Sequence, residues 1–122
     1  MDEQHVLNYI NTRENALLQF LRDLVATPSP KTPGDERAVA ERIQQELSSL
    51  KLGKAEVIAS QPERPNLLLK IKGASPGPTL VLNGHTDTKP MGNRDEWTHD
   101  PYNPVIEDGK LFGLGSTDMK GA

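Results

Sequence analysis

The chain contains no cysteine. Disulfide scaffolds and thiolate metal sites are therefore excluded, and any bound metal must be held by histidines and carboxylates. The same absence suits a cytoplasmic protein. Aromatic residues are scarce, at 4% of the chain, and Trp97 is the sole tryptophan. Long apolar runs are missing too. Leu80-Val81-Leu82 is typical, and it is far too short to span a bilayer. The start, Met1-Asp2-Glu3-Gln4, has neither the basic residues nor the apolar stretch of a secretory signal. Nor is there an excess of positive charge: 14 basic residues stand against 17 acidic ones, a net of −3. That excludes a general binder of nucleic acid or anionic membranes, which needs a basic surface. At 122 residues and 34% hydrophobic, the expectation is one domain with a modest core.

What the chain does have is punctuation. Leu17, Phe20, Leu21, Leu24 and Val25 recur at helical steps, with Val6, Leu7 and Ile10 extending the stripe upstream, so residues 1–27 read as helix. Pro28, Pro30 and Pro33 then forbid a continuing helix. A second helix is predicted from Thr32 as N-cap, with Pro33 at its first position, Asp35 completing the cap and Gly53 as its stop. Val39, Ile43, Leu47 and Leu50 form its apolar stripe. The period then changes. Residues 55–59 and 66–72 read as strands, the latter with Leu67, Leu69 and Ile71 on one face. Thr79-Leu80-Val81-Leu82-Asn83 is apolar on both faces, as a central sheet strand would be. Asp108-Gly109, between Val105-Ile106-Glu107 and Lys110-Leu111-Phe112, is a tight-hairpin signal. Helices followed by strands indicate an α/β fold, two leading helices and then a mixed sheet.

Chemistry concentrates where apolar runs end. His85 and Asp87 follow the 79–83 segment, where ligands bind in open α/β sheets. Residues two apart in an extended segment point the same way, so the Asp87 carboxylate can meet the His85 ring. A metal-bound imidazole usually donates its second N–H to such a group, which fixes its tautomer. Asp118 follows the glycine-rich stretch 113–117, and Met119-Lys120-Gly121-Ala122 reads as the opening of a helix. A carboxylate there can bridge two cations, although an N-cap is an equally ordinary role for Asp. His5 reads as a surface residue and His99 as part of a surface loop. Trp97 reads as an anchor for the long loop, and Lys120 as solvated. Nothing resembles a phosphate cradle.

Four motifs stand in order: Leu82-Asn83-Gly84-His85-Thr86-Asp87, Trp97 with Pro101-Tyr102, Asp108 to Gly115, and Asp118-Met119-Lys120-Gly121. Together they resemble the N-terminal signature of the two-zinc hydrolases that include acetylornithine deacetylase, succinyl-diaminopimelate desuccinylase, aminoacylase, glutamate carboxypeptidase and the carnosinase-type dipeptidases. The resemblance implies that His85 ligates one zinc, that Asp118 bridges two, and that Asp87 serves catalysis by orienting the His85 imidazole. In such sites the ions lie ~3.5–4 Å apart and activate a water for attack on an amide carbonyl. It further implies a cis peptide at Asp118–Met119, zinc replaceable by cobalt or manganese, and a small peptide or N-acyl amino acid as substrate. A homodimer is compatible for the parent protein. Leu114 stands where many relatives have Arg, Lys89 where many have Val, and Ala122 where Gly is usual.

In that family the general-base Glu and the remaining ligands lie downstream of the bridging Asp. Residues 1–122 are therefore expected to be the N-terminal segment of a catalytic domain, without the lid or dimerisation domain. A catalytic zinc normally takes three protein ligands, and the motif offers two. Three readings stay open: part of a zinc-dependent amidohydrolase, a catalytically inert fragment, or a non-enzymatic metal-binding module. The last would need a third ligand, for which His99 is the nearby candidate.

Overall fold

A computed structural model describes residues 2–122. Helix α1 spans Glu3–Thr12 and begins on Asp2, whose carboxylate accepts the His5 amide at 2.9 Å. Helix α2 spans Glu14–Ala26. The expected continuous helix is thus broken at Arg13. Just before the break, the Thr12 hydroxyl donates back to the Tyr9 carbonyl at 2.7 Å, and the Arg13 amide bonds Ile10 instead of continuing the α pattern. No residue of α1 is buried.

The second predicted helix also starts later than its sequence signals suggest. Helix α3 spans Arg37–Ser49. Thr32–Pro33 is a cis bond in a turn, and Gly34 has φ +83°. The N-cap position is Glu36, not Thr32, and it makes no side-chain capping bond; the Asp35 carboxylate just before it accepts the Arg37 amide at 3.1 Å and forks onto the Arg37 guanidinium at 2.9 and 2.6 Å. Arg37 holds the Asp35 carboxyl down at about 2. At the far end the helix stops before Gly53. The Leu52 amide reaches Leu47 O and the Lys51 amide reaches Ser48 O, the bonding pattern of a Schellman cap, with Lys51 at φ +57°. A lysine in that conformation costs ~1–2 kcal/mol, of which glycine's extra chain entropy returns ~0.5–1. Lys51→Gly is therefore expected to raise the unfolding free energy by about 0.5–1 kcal/mol in a urea titration.

Helices α2 and α3 pack together around Leu24, Val25, Val39 and Ala40, all buried. Arg42 crosses between them, bonding Asp23 at 2.9 Å and Glu46 at 2.8 Å with its guanidinium over the Phe20 ring. Gln44 clamps both backbone groups of buried Ala55, which hands the chain from α3 to the first strand.

Strand β1 (Glu56–Ile58) pairs antiparallel with β2 (Asn66–Leu68), and β3 (Val105–Glu107) with β4 (Lys110–Phe112). Helices followed by strands give the α/β class expected, with the strands in two small antiparallel ladders and not one mixed sheet. The second hairpin turns on Asp108 (φ +49°) and Gly109 (φ +72°), both left-handed, in agreement with its sequence signal. Leu67 and Leu69 are half-buried and Leu68 exposed, the expected alternation, although the ladder ends at Leu68 and Ile71 is exposed.

The expected central strand at 79–83 is a correction. Among the described residues it pairs with nothing, and Leu80, Val81 and Leu82 are 82%, 77% and 86% exposed. An apolar run signals a preference for burial, but a strand also needs a neighbour to accept its backbone bonds. The parallel pairing that does form lies just beyond it, a single bridge between Pro30 and Thr88. Among the described residues no helix is long and apolar enough to cross a membrane.

Candidate metal-binding site

The site is built from two loops. The first runs from Gly84 to Thr88. A Cβ on Gly84 would stand 2.9 Å from Met119 Cε, the flexible end of that side chain, so the two loops meet closely here. Beside it, the His85 amide points at Met119 Sδ, 3.2 Å away. The His85 ring is held at both nitrogens. Nδ1 lies 3.0 Å from the Asp87 carbonyl oxygen and 3.1 Å from Asp87 Oδ1, and Nε2 lies 2.9 Å from Asp118 Oδ1. The His85–Asp87–Asp118 grouping thus comes together as its residues suggest. The Asp87 backbone oxygen, and not only its carboxylate, meets Nδ1.

These contacts set the electrostatics. The Asp87 carbonyl first, then the Asp118 carboxylate, favour the protonated ring and raise the His85 pKa above its ordinary 6.5. The contacts therefore contribute their full stability below about 6.5, the unfolded value, and lose it as pH rises through the raised folded value.

The second loop runs from Gly113 to Ala122. Turns close it, with Ser116 N–H bonding Gly113 O, Lys120 N–H bonding Gly115 O and Ala122 N–H bonding Met119 O. Residues 119–121 are turn. Asp118–Met119 is cis, as the resemblance implies. Gly115 sits at φ +79°, where a Cβ would come within 2.5 Å of the Thr88 methyl, so the two loops nest here as well.

Lys120 is the second correction. Its sequence surroundings suggest a solvated side chain, but it is buried at 9% exposure, with Nζ donating to the Leu24 and Thr27 carbonyls at 2.8 Å each. Both carbonyls lie at the C-terminus of α2, where the helix dipole favours a cation, and Leu24 O also accepts the Thr27 amide at 3.2 Å. Burial pushes its ammonium down to about 8. Nothing local in Met119-Lys120-Gly121 signals this, because its partners lie more than ninety residues earlier. Ser29, which sequence reasoning misses, is wholly buried and donates to the Thr86 carbonyl at 2.7 Å. Nothing local signals it, because its partner lies 57 residues away.

His99 stands elsewhere. It stacks on Phe112 at 4.4 Å, with Nε2 3.2 Å from Glu107 Oε2 and Nδ1 3.0 Å from the Thr98 hydroxyl. Both ring nitrogens are engaged at the hairpin, so it does not extend the His85–Asp118 pair. Trp97 ties the long loop by donating to the Met91 carbonyl at 2.7 Å. His5 is exposed on α1.

The donor chemistry at His85 and Asp118 suits zinc. Zinc takes imidazole nitrogen at ~2.0–2.1 Å and carboxylate oxygen at ~2.0–2.2 Å, and two donors 2.9 Å apart can share one ion. Asp118 Oδ2 has no hydrogen-bond partner among the described residues, which leaves it open to a second cation. No group of three or more candidate ligands converges among the described residues. The set is therefore one ligand short of a usual catalytic zinc site.

Residues 81–122 match the family model described as peptidase family M20/M25/M40. The chain is 37% identical over 111 residues to succinyl-diaminopimelate desuccinylase of Xanthomonas euvesicatoria pv. vesicatoria (strain 85-10), covering 87% of this chain and 27% of that protein. The enzyme of that name from Bordetella petrii is 38% identical over 112 residues, 89% of this chain and 27% of the relative. The one from Xanthomonas oryzae pv. oryzae (strain PXO99A) is 56% identical over 48 residues, 39% of this chain and 13% of the relative. The chain spans about a quarter of the length of the first two relatives.

Proposed function

We propose that this chain, which resembles the N-terminal part of peptidase family M20/M25/M40, supplies the first metal ligands of a zinc-dependent amidohydrolase that cleaves an N-acyl amino acid or a peptide bond. The observation that carries this reading is the His85 ring, held through Nδ1 by Asp87 while Nε2 faces Asp118. In this reading His85 and Asp118 would hold the metal, Asp118 would be shared with a second one, and Asp87 is the residue that orients the imidazole. The name of the relatives, a desuccinylase, favours an N-acyl amino acid over a peptide as substrate. When bound, the metal would activate water and polarise the amide carbonyl. Cobalt or manganese could replace zinc. The acidic, cysteine-free chain fits a cytoplasmic protein, and the complete protein is compatible with a homodimer.

This chain's own residues have defined tasks in that scheme. Asp87 keeps the Nδ1 proton in place, so that Nε2 presents its lone pair outward. Asp118 brings negative charge beside it. Because two ligands are fewer than a catalytic zinc requires, residues 1–122 by themselves are proposed to be catalytically inactive. Measurable amide hydrolysis by purified 1–122 with added zinc would overturn that part.

Zinc and proton compete for His85. With its pKa raised above the ordinary imidazole value, zinc affinity is expected to fall about tenfold per pH unit below the His85 value and to level off only above it. Zinc titrations from pH 5.5 to 8.5 test this. An affinity that is flat over that range would contradict His85 as a ligand.

A further inference from the structure

Both loops of the site hang on one short stretch, residues 24–31. On one side, the Ser29 hydroxyl donates to the Thr86 carbonyl at 2.7 Å, the Thr88 amide donates to Ser29 O at 2.9 Å, and the Lys31 amide donates to Thr88 O at 2.8 Å. These three bonds straddle Asp87 and lie within a few residues of His85. On the other side, Lys120 Nζ donates to Leu24 O and Thr27 O, two residues after Asp118. Thr27 and Ser29 are two positions apart, on a segment locked by α2 packing and by prolines on both sides of Ser29. Ser29 is wholly buried and Lys120 nearly so. Neither side chain hydrogen-bonds His85, Asp87 or Asp118.

We propose that Ser29 and Lys120 are positioning residues for the metal. Through the common frame 24–31 they fix the loop of His85 and the loop of Asp118 at the separation that lets both donors meet one ion. This rests on the metal-site reading above. Metal affinity depends on preorganised donors, and loss of a group that orients a ligand typically costs 10–100-fold. The loops also touch each other directly, at Gly84 against Met119 and at Gly115 against Thr88. Freeing one anchor therefore loosens the pair without dissolving it, and the expected loss lies at the lower end of that range.

The test is the zinc dissociation constant of the complete natural chain, measured by competition with a chromophoric chelator, alongside its metal-free melting temperature. Ser29→Ala and Lys120→Met both keep the buried volume close to native, so at least one is expected to fold. Each is expected to weaken zinc about tenfold. The double variant is expected to lose less than the product of the two, because one free loop already leaves the donor separation unset. Variants that melt lower yet bind zinc within twofold of the unmodified chain would overturn the proposal, since a merely structural bond lowers stability alone. A fully multiplicative double variant would overturn the shared frame. His85→Ala separates the two levels. If it abolishes tight zinc binding while Ser29→Ala and Lys120→Met do not weaken it, the positioning role fails and the metal site stands. If zinc binding survives His85→Ala, both fail.

Discussion

His85→Ala is expected to lower amide hydrolysis by the complete protein about 10³-fold or more. A bound metal supplies several kcal/mol of transition-state stabilisation, and each 1.36 kcal/mol is a factor of ten in rate. Alanine removes the Nε2 donor that stands 2.9 Å from Asp118 Oδ1. It also leaves Asp87 with no ring to orient. Stability should change little, because His85 is exposed and its amide contact with Met119 Sδ does not depend on the side chain. Asp87→Asn should cost less than His85→Ala, since the Asp87 backbone oxygen, 3.0 Å from Nδ1, remains to hold the ring. Steady-state rates on N-succinyl and N-acetyl amino acids give the comparison. Near-normal turnover by His85→Ala would rule out the metal role of this residue.

Gly113→Ala is expected to destabilise the fold by about 3 kcal/mol, the upper end for overpacking a core. Gly113 leaves β4 and passes directly over α2, where a Cβ would overlap Val25 Cγ1 and sit 3.5 Å from both Pro101 O and Pro104 Cβ. None of these neighbours has room to retreat. Val25 and Pro101 are wholly buried, and the Pro101 carbonyl is fixed by the Leu114 amide at 2.8 Å. The melting temperature should fall by roughly 10 °C or more for a domain of this size. Gly77→Ala is the control. A Cβ at Gly77 meets nothing within 4 Å and the residue does not need a positive φ, so its melting temperature should stay near native. Equal melting of the two variants would contradict the packing of the hairpin against α2.

Features that depend on neighbours along the chain are legible in the amino-acid sequence. The Asp108-Gly109 turn is written in two adjacent residues, and the His85-x-Asp87 contact in three. The meeting of His85 with Asp118 is suggested by the order of four motifs and not by any local rule. What is illegible depends on partners far away. Lys120 looks like a surface lysine until the carbonyls of Leu24 and Thr27 are brought to it, and buried Ser29 looks like an ordinary turn residue. Thr32-Pro33 carries good local helix-start signals and so misplaces the start of α3, because the chain first turns through Gly34 at φ +83° and reaches helical bonding only after Glu36. Residues 79–83 show the opposite failure. Their apolar content is real, but no described segment lies alongside to pair with them.

The central claim is that His85 and Asp118 hold one metal while Asp87 holds the other side of the ring. The most direct measurement is anomalous diffraction at the zinc edge on crystals of the complete protein grown with zinc. The account predicts an anomalous peak within about 2.0–2.2 Å of both His85 Nε2 and an Asp118 oxygen, with Nδ1 still bonded to Asp87. A zinc-loaded protein whose peak lies away from these two donors, or that binds His85 through Nδ1, would contradict it.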